Sequence, residues 1–129
     1  MNKILVEVSA GELLDKISIL EIKKEKISNS SSLNTINTEY LILKEQLDKN
    51  IKKDEKIDKL FHTLKKINSK LWVIEDDKRM CEKKSDFGKK FIELSRNVHF
   101  LNDDRSKIKL EINQHTKSKI KEIKEYTNY

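Results

Sequence analysis

The sequence predicts an all-α protein, an antiparallel bundle of three to four long helices with a short extended arm at its N-terminus. Proline is absent and glycine occurs only at Gly11 and Gly88, so the chain lacks the residues that hairpin-rich β proteins need at their turns. Charged residues make up 39% of the chain, and residues that favour helices dominate it. Apolar residues recur at intervals of three and four along most of its length. At 129 residues, we expect one domain, residues 1–129.

The chain opens with an apolar arm, residues 1–8, and a helix start. The segment ILVEV at residues 4–8 is rich in β-branched side chains and too short for a helix, so it predicts an orphan strand or extended arm. Because an exposed strand edge is a pairing hazard, we expect the arm to pack on the bundle or on another subunit. Ser9 and Glu12 form a predicted capping box, in which the Ser9 hydroxyl accepts from the Glu12 amide and the glutamate reaches back.

The first helix is predicted over residues 10–27 and the second over residues 33–49. The first carries two apolar stripes, which require two neighbours. The serine-rich stretch at residues 28–32 predicts a linker. Polar residues occupy the seam positions after residue 49, which favours a reversal of the chain there over one continuous helix. The seam of the second helix consists of Leu33, Ile36, Tyr40, Leu43 and Leu47.

The third helix is predicted over residues 55–84 and the fourth over residues 86–114, followed by a tail at 116–129 that could form a short amphipathic helix. Ser85 or Asp86 is expected to cap the fourth helix. The heptad seam of the third helix is Ile57, Leu60, Leu64, Ile67, Leu71 and Ile74, and a second stripe beside it holds Phe61, Asn68, Trp72, Glu75, Arg79 and Glu82. The seam of the fourth is Phe87, Phe91, Leu94, Val98, Leu101, Arg105, Ile108 and Ile112.

The net charge of +6 is spread along the chain, and its lysines alternate with acids. A nucleic-acid interface normally concentrates basic residues on one face with aromatics between them, so this pattern argues against nucleic acid as a partner. A leader segment and an apolar run of about 18 residues are both missing, so we expect a cytoplasmic protein with no membrane span. Cys81 is the single cysteine and is interpreted as an apolar packing residue.

Charged residues beside the apolar seams are the candidates for a functional site. The acidic segments at residues 74–79 and 101–105 look like two halves of a metal site, but at 1.5 Å per residue from the predicted turn they miss each other by roughly 10 Å. We therefore predict no metal site and no cofactor, and the sequence identifies no particular residue as catalytic. The candidate polar layer consists of Glu21, Glu75, Arg79, Glu93, Arg96, Asn97 and Arg105. Such a layer could bind an anion through its arginines or a cation through its carboxylates, or it could only fix helix register.

Arg105 is the one charged residue in the seam of the fourth helix. We expect it to be at least half buried and paired with a carboxylate. The turn arithmetic places it level with about Lys66, so that carboxylate should come from the first helix (Glu12, Asp15 or Glu21) or from Asp104 nearby. If its role is structural, replacement by methionine should be tolerated.

Three segments resemble a small bacterial and phage family catalogued as domain of unknown function 6165. They are residues 4–27 (ILVEVSAGELLDKISILEIKKEKI), 71–83 (LWVIEDDKRMCEK) and 91–113 (FIELSRNVHFLNDDRSKIKLEIN), followed by a tyrosine-containing end, whereas residues 29 to about 70 look unlike the family pattern. The resemblance implies no activity. The residues that look like its motif positions are Glu12, Asp15, Lys16, Glu21, Trp72, Glu75, Asp76, Asp77, Arg79, Glu93, Arg96, Asn102, Asp103 and Arg105.

These observations favour a non-catalytic interaction or assembly module that associates with itself or with a protein partner. The alternative is a small-ligand-dependent or metal-dependent enzyme that acts on a phosphorylated substrate through the polar layer. A second alternative is nucleic-acid binding through the basic surface. A helical nucleotide pyrophosphohydrolase would show ExxE followed by ExxD on successive helices, but here the pair Glu12 and Asp15 precedes the pair Glu122 and Glu125, which is the wrong order.

Overall fold

The computed structural model describes residues 1–128 and confirms an all-α bundle. Within these residues there are four helices and no strand: α1 (Ala10–Lys26), α2 (Ser30–Asn50), α3 (Glu55–Lys83) and α4 (Lys89–Thr116). Tyr129, the last residue of the predicted tail, lies outside the described residues. In the described chain, no helix is both long enough and apolar enough to cross a membrane.

Helix α1 begins where the capping box places it. The Ser9 hydroxyl accepts a hydrogen bond from the Glu12 amide at 3.0 Å, as predicted. The second half of the prediction is wrong, because the Glu12 carboxylate accepts instead from Lys109 of α4 at 2.6 Å. A cross-helix lysine therefore replaces the local backbone contact. Residues 1–8 precede the cap as an exposed arm without regular structure.

Helix α2 begins earlier than its apolar pattern indicates. The side chain of Asn29 accepts from the amide of Ser32 at 2.9 Å and caps the helix, so the linker predicted over residues 28–32 is wrong for its last three residues. The helix ends at Asn50, and residues 51–54 separate it from α3. Asp54 then caps α3 by accepting from the Ile57 amide at 2.8 Å.

Helices α3 and α4 form a long hairpin whose turn differs from the predicted one. Ser85 adopts a left-handed conformation with φ of 53°, and the Asp86 carboxylate accepts from the Gly88 amide at 3.2 Å within the turn. Because both candidate caps are used in the turn, α4 begins only at Lys89. At its other end Lys117 is also left-handed, and residues 117–128 contain no helix, so the short amphipathic helix that the tail pattern allowed does not form there.

The hydrophobic core lies where α1 covers one end of the hairpin and α2 packs against α1. Helix α1 contacts α4 near its start and α3 near its end, and it also packs against α2, which explains its two apolar stripes. The buried core cluster consists of Leu13, Leu14, Ile17, Leu47, Ile57, Leu60, Leu64 and Ile112. We call this end, made of α1, α2, α3 up to Leu71 and α4 from Leu101, the proximal half.

The rest of the hairpin, residues 72–100, is called here the distal half. At 1.5 Å per residue the 29 residues of α3 extend about 44 Å, whereas the 17 residues of α1 extend about 26 Å, so α1 covers only part of the hairpin. Cys81 is the one fully buried apolar side chain that the described chain contributes to the distal half. Its exposed large apolar side chains are Val73, Met80, Phe87, Ile92 and Phe100.

Candidate functional site

A two-pronged ion pair in the proximal half joins α1 to α4. Asp15 is 1% exposed, and the Arg105 side chain is 29% exposed. The Arg105 Nε atom donates to Asp15 Oδ1 at 2.9 Å, and its Nη2 atom donates to Oδ2, so both carboxylate oxygens are bound by one guanidinium. Such two-pronged pairs fix geometry as well as charge. The prediction that Arg105 pairs with a carboxylate of the first helix is confirmed.

Two polar side chains complete this contact. Asn68 of α3 donates from its amide nitrogen to Asp15 Oδ1 at 2.9 Å and to Ser18 Oγ at 2.8 Å. The Ser18 hydroxyl donates to the backbone carbonyl of Asp15 at 2.7 Å. We call Asp15, Ser18, Asn68 and Arg105 the polar cluster. It connects three helices at one level of the bundle.

The polar cluster keeps its carboxylate ionised. Burial alone raises the pKa of Asp15, but the hydrogen bonds from Arg105 and Asn68 and the charge of Arg105 outweigh burial and lower that pKa below its usual value. The hydrogen bond to Asp15 raises the pKa of Arg105 in turn. Both groups therefore remain charged near neutral pH, and the pair is a fixed structural contact.

A second polar network connects the start of α1 to the C-terminal tail. Asn113 of α4 is fully buried, and both atoms of its side-chain amide are used. The side-chain oxygen accepts from the Gly11 backbone amide at 2.7 Å, and the side-chain nitrogen donates to Glu122 Oε2 at 3.0 Å. The Ser9 hydroxyl donates to the other oxygen of Glu122. We call Ser9, Asn113 and Glu122 the tail clamp. Burial raises the pKa of Glu122, but the hydrogen bonds from Ser9 and Asn113 lower it overall.

Gly11 is the point of closest approach between α1 and α4. A Cβ atom at this position would lie 2.6 Å from the backbone carbonyl oxygen of Lys109 and 2.9 Å from the side-chain oxygen of Asn113. Glycine is thus required here for the tail clamp to close. No pattern in the sequence singles out Asn113 or gives Glu122 a structural role, and the one signal that points to them is the unexplained glycine inside the capping box.

The residues of the predicted polar layer lie at different places. Glu21 accepts from Lys65 of α3 at 3.1 Å, and Lys65 also binds Glu25 at 2.8 Å. The hydrogen bonds that Lys65 donates to Glu25 and Glu21 raise its pKa despite its partial burial. This network lies at the C-terminal end of α1, while Arg105 belongs to the polar cluster.

The remaining members of the predicted layer belong to the distal half and are exposed: Glu75, Arg79, Glu93, Arg96 and Asn97. Glu93 lies 3.9 Å from Lys89 one turn away, and the Arg96 guanidinium lies 5.8 Å from the ring of Phe100. The structure thus brings Arg105 together with Asp15 and not with Glu75. Within residues 1–128, no three histidine, cysteine, aspartate or glutamate side chains are gathered as a metal ion would require.

Two surface grooves lie along α4. The first, about 640 Å³ in volume, runs between α3 and α4 across the border of the proximal and distal halves. Its mostly apolar lining is formed by Lys66, Ser69, Lys70, Val73, Ile74, Asn97, Phe100 and Leu101. The second, about 690 Å³, lies between α4 and the C-terminal tail. Both volumes fall in the range of small-molecule sites.

Comparison with known proteins addresses the family and not the activity. No curated protein and no solved structure matches the chain. The match to a family runs over residues 4–129 and therefore includes residues 29–70, which the sequence resemblance left out. Its description is "Family of unknown function (DUF6165)", and the chain belongs to this family.

Proposed function

We propose that this protein is a non-catalytic helical assembly module whose distal half packs against the distal half of a second copy. The observation that carries the proposal is the apolar groove between α3 and α4, bordered by Val73 and Phe100. Contiguous exposed apolar surface is typical of interaction sites. In the proposed assembly, two hairpins combine into a four-helix arrangement.

The layer structure of the hairpin supports a second copy as the partner. Val73 is 49% exposed and Ile92 is 54% exposed, because neither α1 nor α2 reaches the distal half. Two helices without a further layer bury little apolar surface, and helices depend on such burial for most of their stability. A second hairpin would supply the missing layer, and two-fold dimers are the commonest closed assemblies.

The charges of the distal half are complementary to one another. Its α3 segment exposes the acids Glu75, Asp76 and Glu82 beside Arg79 and Lys83, whereas its α4 segment exposes the bases Lys89, Lys90 and Arg96 beside Glu93. In a two-fold arrangement that lays α3 of one copy along α4 of the other, a segment with an excess of acids faces a segment with an excess of bases on both sides. Such complementarity fixes orientation and selects the partner.

The N-terminal arm offers a second apolar surface for the same assembly. Ile4, Leu5 and Val6 are 80%, 87% and 75% exposed, so the arm does not bury its apolar side chains on its own bundle. A short apolar segment that stays exposed is a candidate for exchange between copies. The arm thus supports self-association independently of the groove.

The polar cluster supports a module more than an enzyme. In the described chain, no buried side-chain nitrogen or oxygen lacks a hydrogen-bond partner. A fully satisfied network rigidifies a core, and buried ion pairs are best attested as devices that set register. The alternative, an enzyme acting on a phosphorylated substrate through a carboxylate and arginine layer, has less support because Glu75 and Arg79 lie apart from Arg105.

Sedimentation velocity over a concentration series tests the proposal. We expect the full chain to change from monomer to dimer as its concentration rises, and Val73→Lys to remain monomeric. Leu110→Lys is the matched control, since Leu110 is 40% exposed on α4 outside the groove, and it should dimerise like the parent. Emission of Trp72, the single tryptophan, provides an independent readout at the start of the distal half.

Two results would overturn the proposal. One is a parent chain that stays monomeric at every concentration. The other is a dimer that Val73→Lys leaves intact. A variant without residues 1–8 separates the two surfaces, because loss of the dimer in that variant alone would assign the contact to the arm.

A further inference from the structure

The groove between α4 and the C-terminal tail differs in chemistry from the apolar groove. Its polar lining comes from His99, Asn102, Asp103 and Arg105 of α4 and from Lys124 and Tyr126 of the tail. It therefore combines cationic, anionic and neutral groups around about 690 Å³ of space. Sites for small molecules typically have this size and a few convergent polar groups.

Arg105 presents a positioned cation to this groove. Asp15 binds Nε and Nη2 of the guanidinium, whereas Nη1 lies on the other side, 3.5 Å from the side-chain oxygen of Asn102. A contact of 3.5 Å is at the limit of a hydrogen bond. Asp15 thus holds the guanidinium in place while the Nη1 side retains the capacity to donate to a stronger acceptor in the groove.

The tail supplies the second cation and is itself anchored. Lys124 follows Glu122 by two residues, and Glu122 is bound by Ser9 and Asn113 in the tail clamp. Ser118, at the start of the tail, accepts from the Ala10 amide at 3.2 Å. The wall of the groove that carries Lys124 and Tyr126 is therefore attached to the start of α1 at two points.

From this placement we infer that the groove binds a small phosphate monoester, whose phosphate lies between Arg105 and Lys124. Guanidinium and ammonium groups are the usual partners of phosphate in proteins. The ring of Tyr126, which is 70% exposed, packs against the flat or apolar side of the esterified part. This site is separate from the apolar groove and does not depend on dimer formation.

Isothermal titration calorimetry of the full chain with AMP, glucose 6-phosphate and inorganic phosphate tests the inference. We expect saturable binding of at least one of the two monoesters and weaker binding of inorganic phosphate. Lys124→Met should weaken monoester binding by roughly tenfold or more, since it removes a hydrogen bond between charged groups. Lys121→Met is the control, because Lys121 is an exposed tail lysine that does not line the groove.

The two monoesters distinguish a nucleotide from a sugar phosphate, and binding of either one supports the inference. Failure of both to bind saturably would overturn it. Equal weakening by Lys121→Met and Lys124→Met would also overturn it, because it would indicate general attraction to a lysine-rich tail. Inorganic phosphate that binds as tightly as the monoesters would contradict recognition of the esterified part. The sedimentation behaviour of Lys124→Met should match that of the parent, which keeps this test separate from the assembly proposal.

Discussion

The proximal and distal halves of the hairpin have similar seam patterns in the sequence but very different surroundings in the structure. In the proximal half, α1 covers the seam and buries Leu64 and Ile112 completely. In the distal half no third helix covers the hairpin, so the seam residues Ile74, Phe91 and Leu94 are only partly buried. Val73 and Ile92, which lie beside the seams, are about half exposed. The comparison teaches that an apolar seam shows which helix face needs a neighbour, while the lengths of the other helices decide whether the chain itself provides one.

The halves also differ in how they use charge. In the proximal half, charged side chains join different helices, as Arg105 joins Asp15 and Lys109 joins Glu12. The distal ion pair between Lys89 and Glu93 lies within one exposed helix face and spans 3.9 Å. Exposed pairs of this kind contribute little to stability. We therefore expect charge substitutions to destabilise the proximal half and to leave the distal half folded.

The largest expected effect comes from breaking the polar cluster. Arg105→Ala should lower the free energy of unfolding by on the order of 3 kcal/mol, because it leaves the buried Asp15 carboxylate without its cation. Urea denaturation measures this change. A loss below about 1 kcal/mol, the level of an exposed pair, would contradict a structural role for the cluster.

A double substitution sharpens this prediction. The sequence alone suggested that Arg105→Met would be tolerated, but Asp15 is 1% exposed, so methionine alone also strands the carboxylate. Asp15→Leu combined with Arg105→Met removes both charges and should recover most of the stability lost in the single variants. If the double variant is as unstable as Arg105→Met alone, removing the stranded charge has not restored stability. That result would show that the hydrogen bonds of Asn68 and Ser18 depend on the charged pair.

Gly11→Ala should have the next largest effect. Its Cβ atom would lie 2.6 Å from a backbone oxygen of α4, which cannot move without separating the two helices. Overpacking of this kind typically costs about 1–3 kcal/mol. Gly88→Ala is the matched control, since the nearest atom to its Cβ would lie 3.5 Å away. Thermal unfolding of the two variants side by side measures the difference, and equal melting temperatures would contradict the close approach of α1 and α4.

Acid should weaken the proximal half through Asp15 and Glu122. Both have pKa values below the usual range when folded, so their stabilising contribution is present above the pKa of the unfolded chain and is lost as pH falls through the folded values. The difference in unfolding free energy between the parent and Asp15→Asn should therefore shrink below about pH 4. Urea denaturation at several pH values measures it, and a difference that stays constant down to pH 2 would exclude Asp15 as its source.

The smallest effect on folding is expected for Val73→Lys in the distal half. At dilution, where the parent is monomeric, the two should unfold within about 0.5 kcal/mol of each other, because Val73 is half exposed and lysine suits a helix. The dimer should nevertheless be lost. If dilute Val73→Lys unfolds at a much lower denaturant concentration than the dilute parent, Val73 stabilises its own hairpin.

The sequence predicted what depends on local pattern. The helix start at Ser9 follows from spacing along one helix. The pairing of Arg105 with the first helix follows from its place in an apolar seam together with the turn arithmetic, and both predictions are confirmed. The tail clamp joins Ser9 to Glu122, 113 positions away, and no periodicity links an irregular tail to a helix start. The predicted polar layer was assembled from turn arithmetic, which gives the level of a residue along the hairpin but not whether a third helix covers it. For Glu75 and Arg79 no helix does.

Hydrogen exchange at low and high protein concentration tests the central contrast most directly, because it reports on each half separately. We predict that amides of α1 and of the proximal ends of α3 and α4 are strongly protected at both concentrations. Amides of the distal half should exchange faster at low concentration and become protected at high concentration, and Val73→Lys should abolish that gain. Equal protection of the distal amides at both concentrations would contradict this prediction. An increase of protection with concentration that is confined to the proximal amides would contradict it as well.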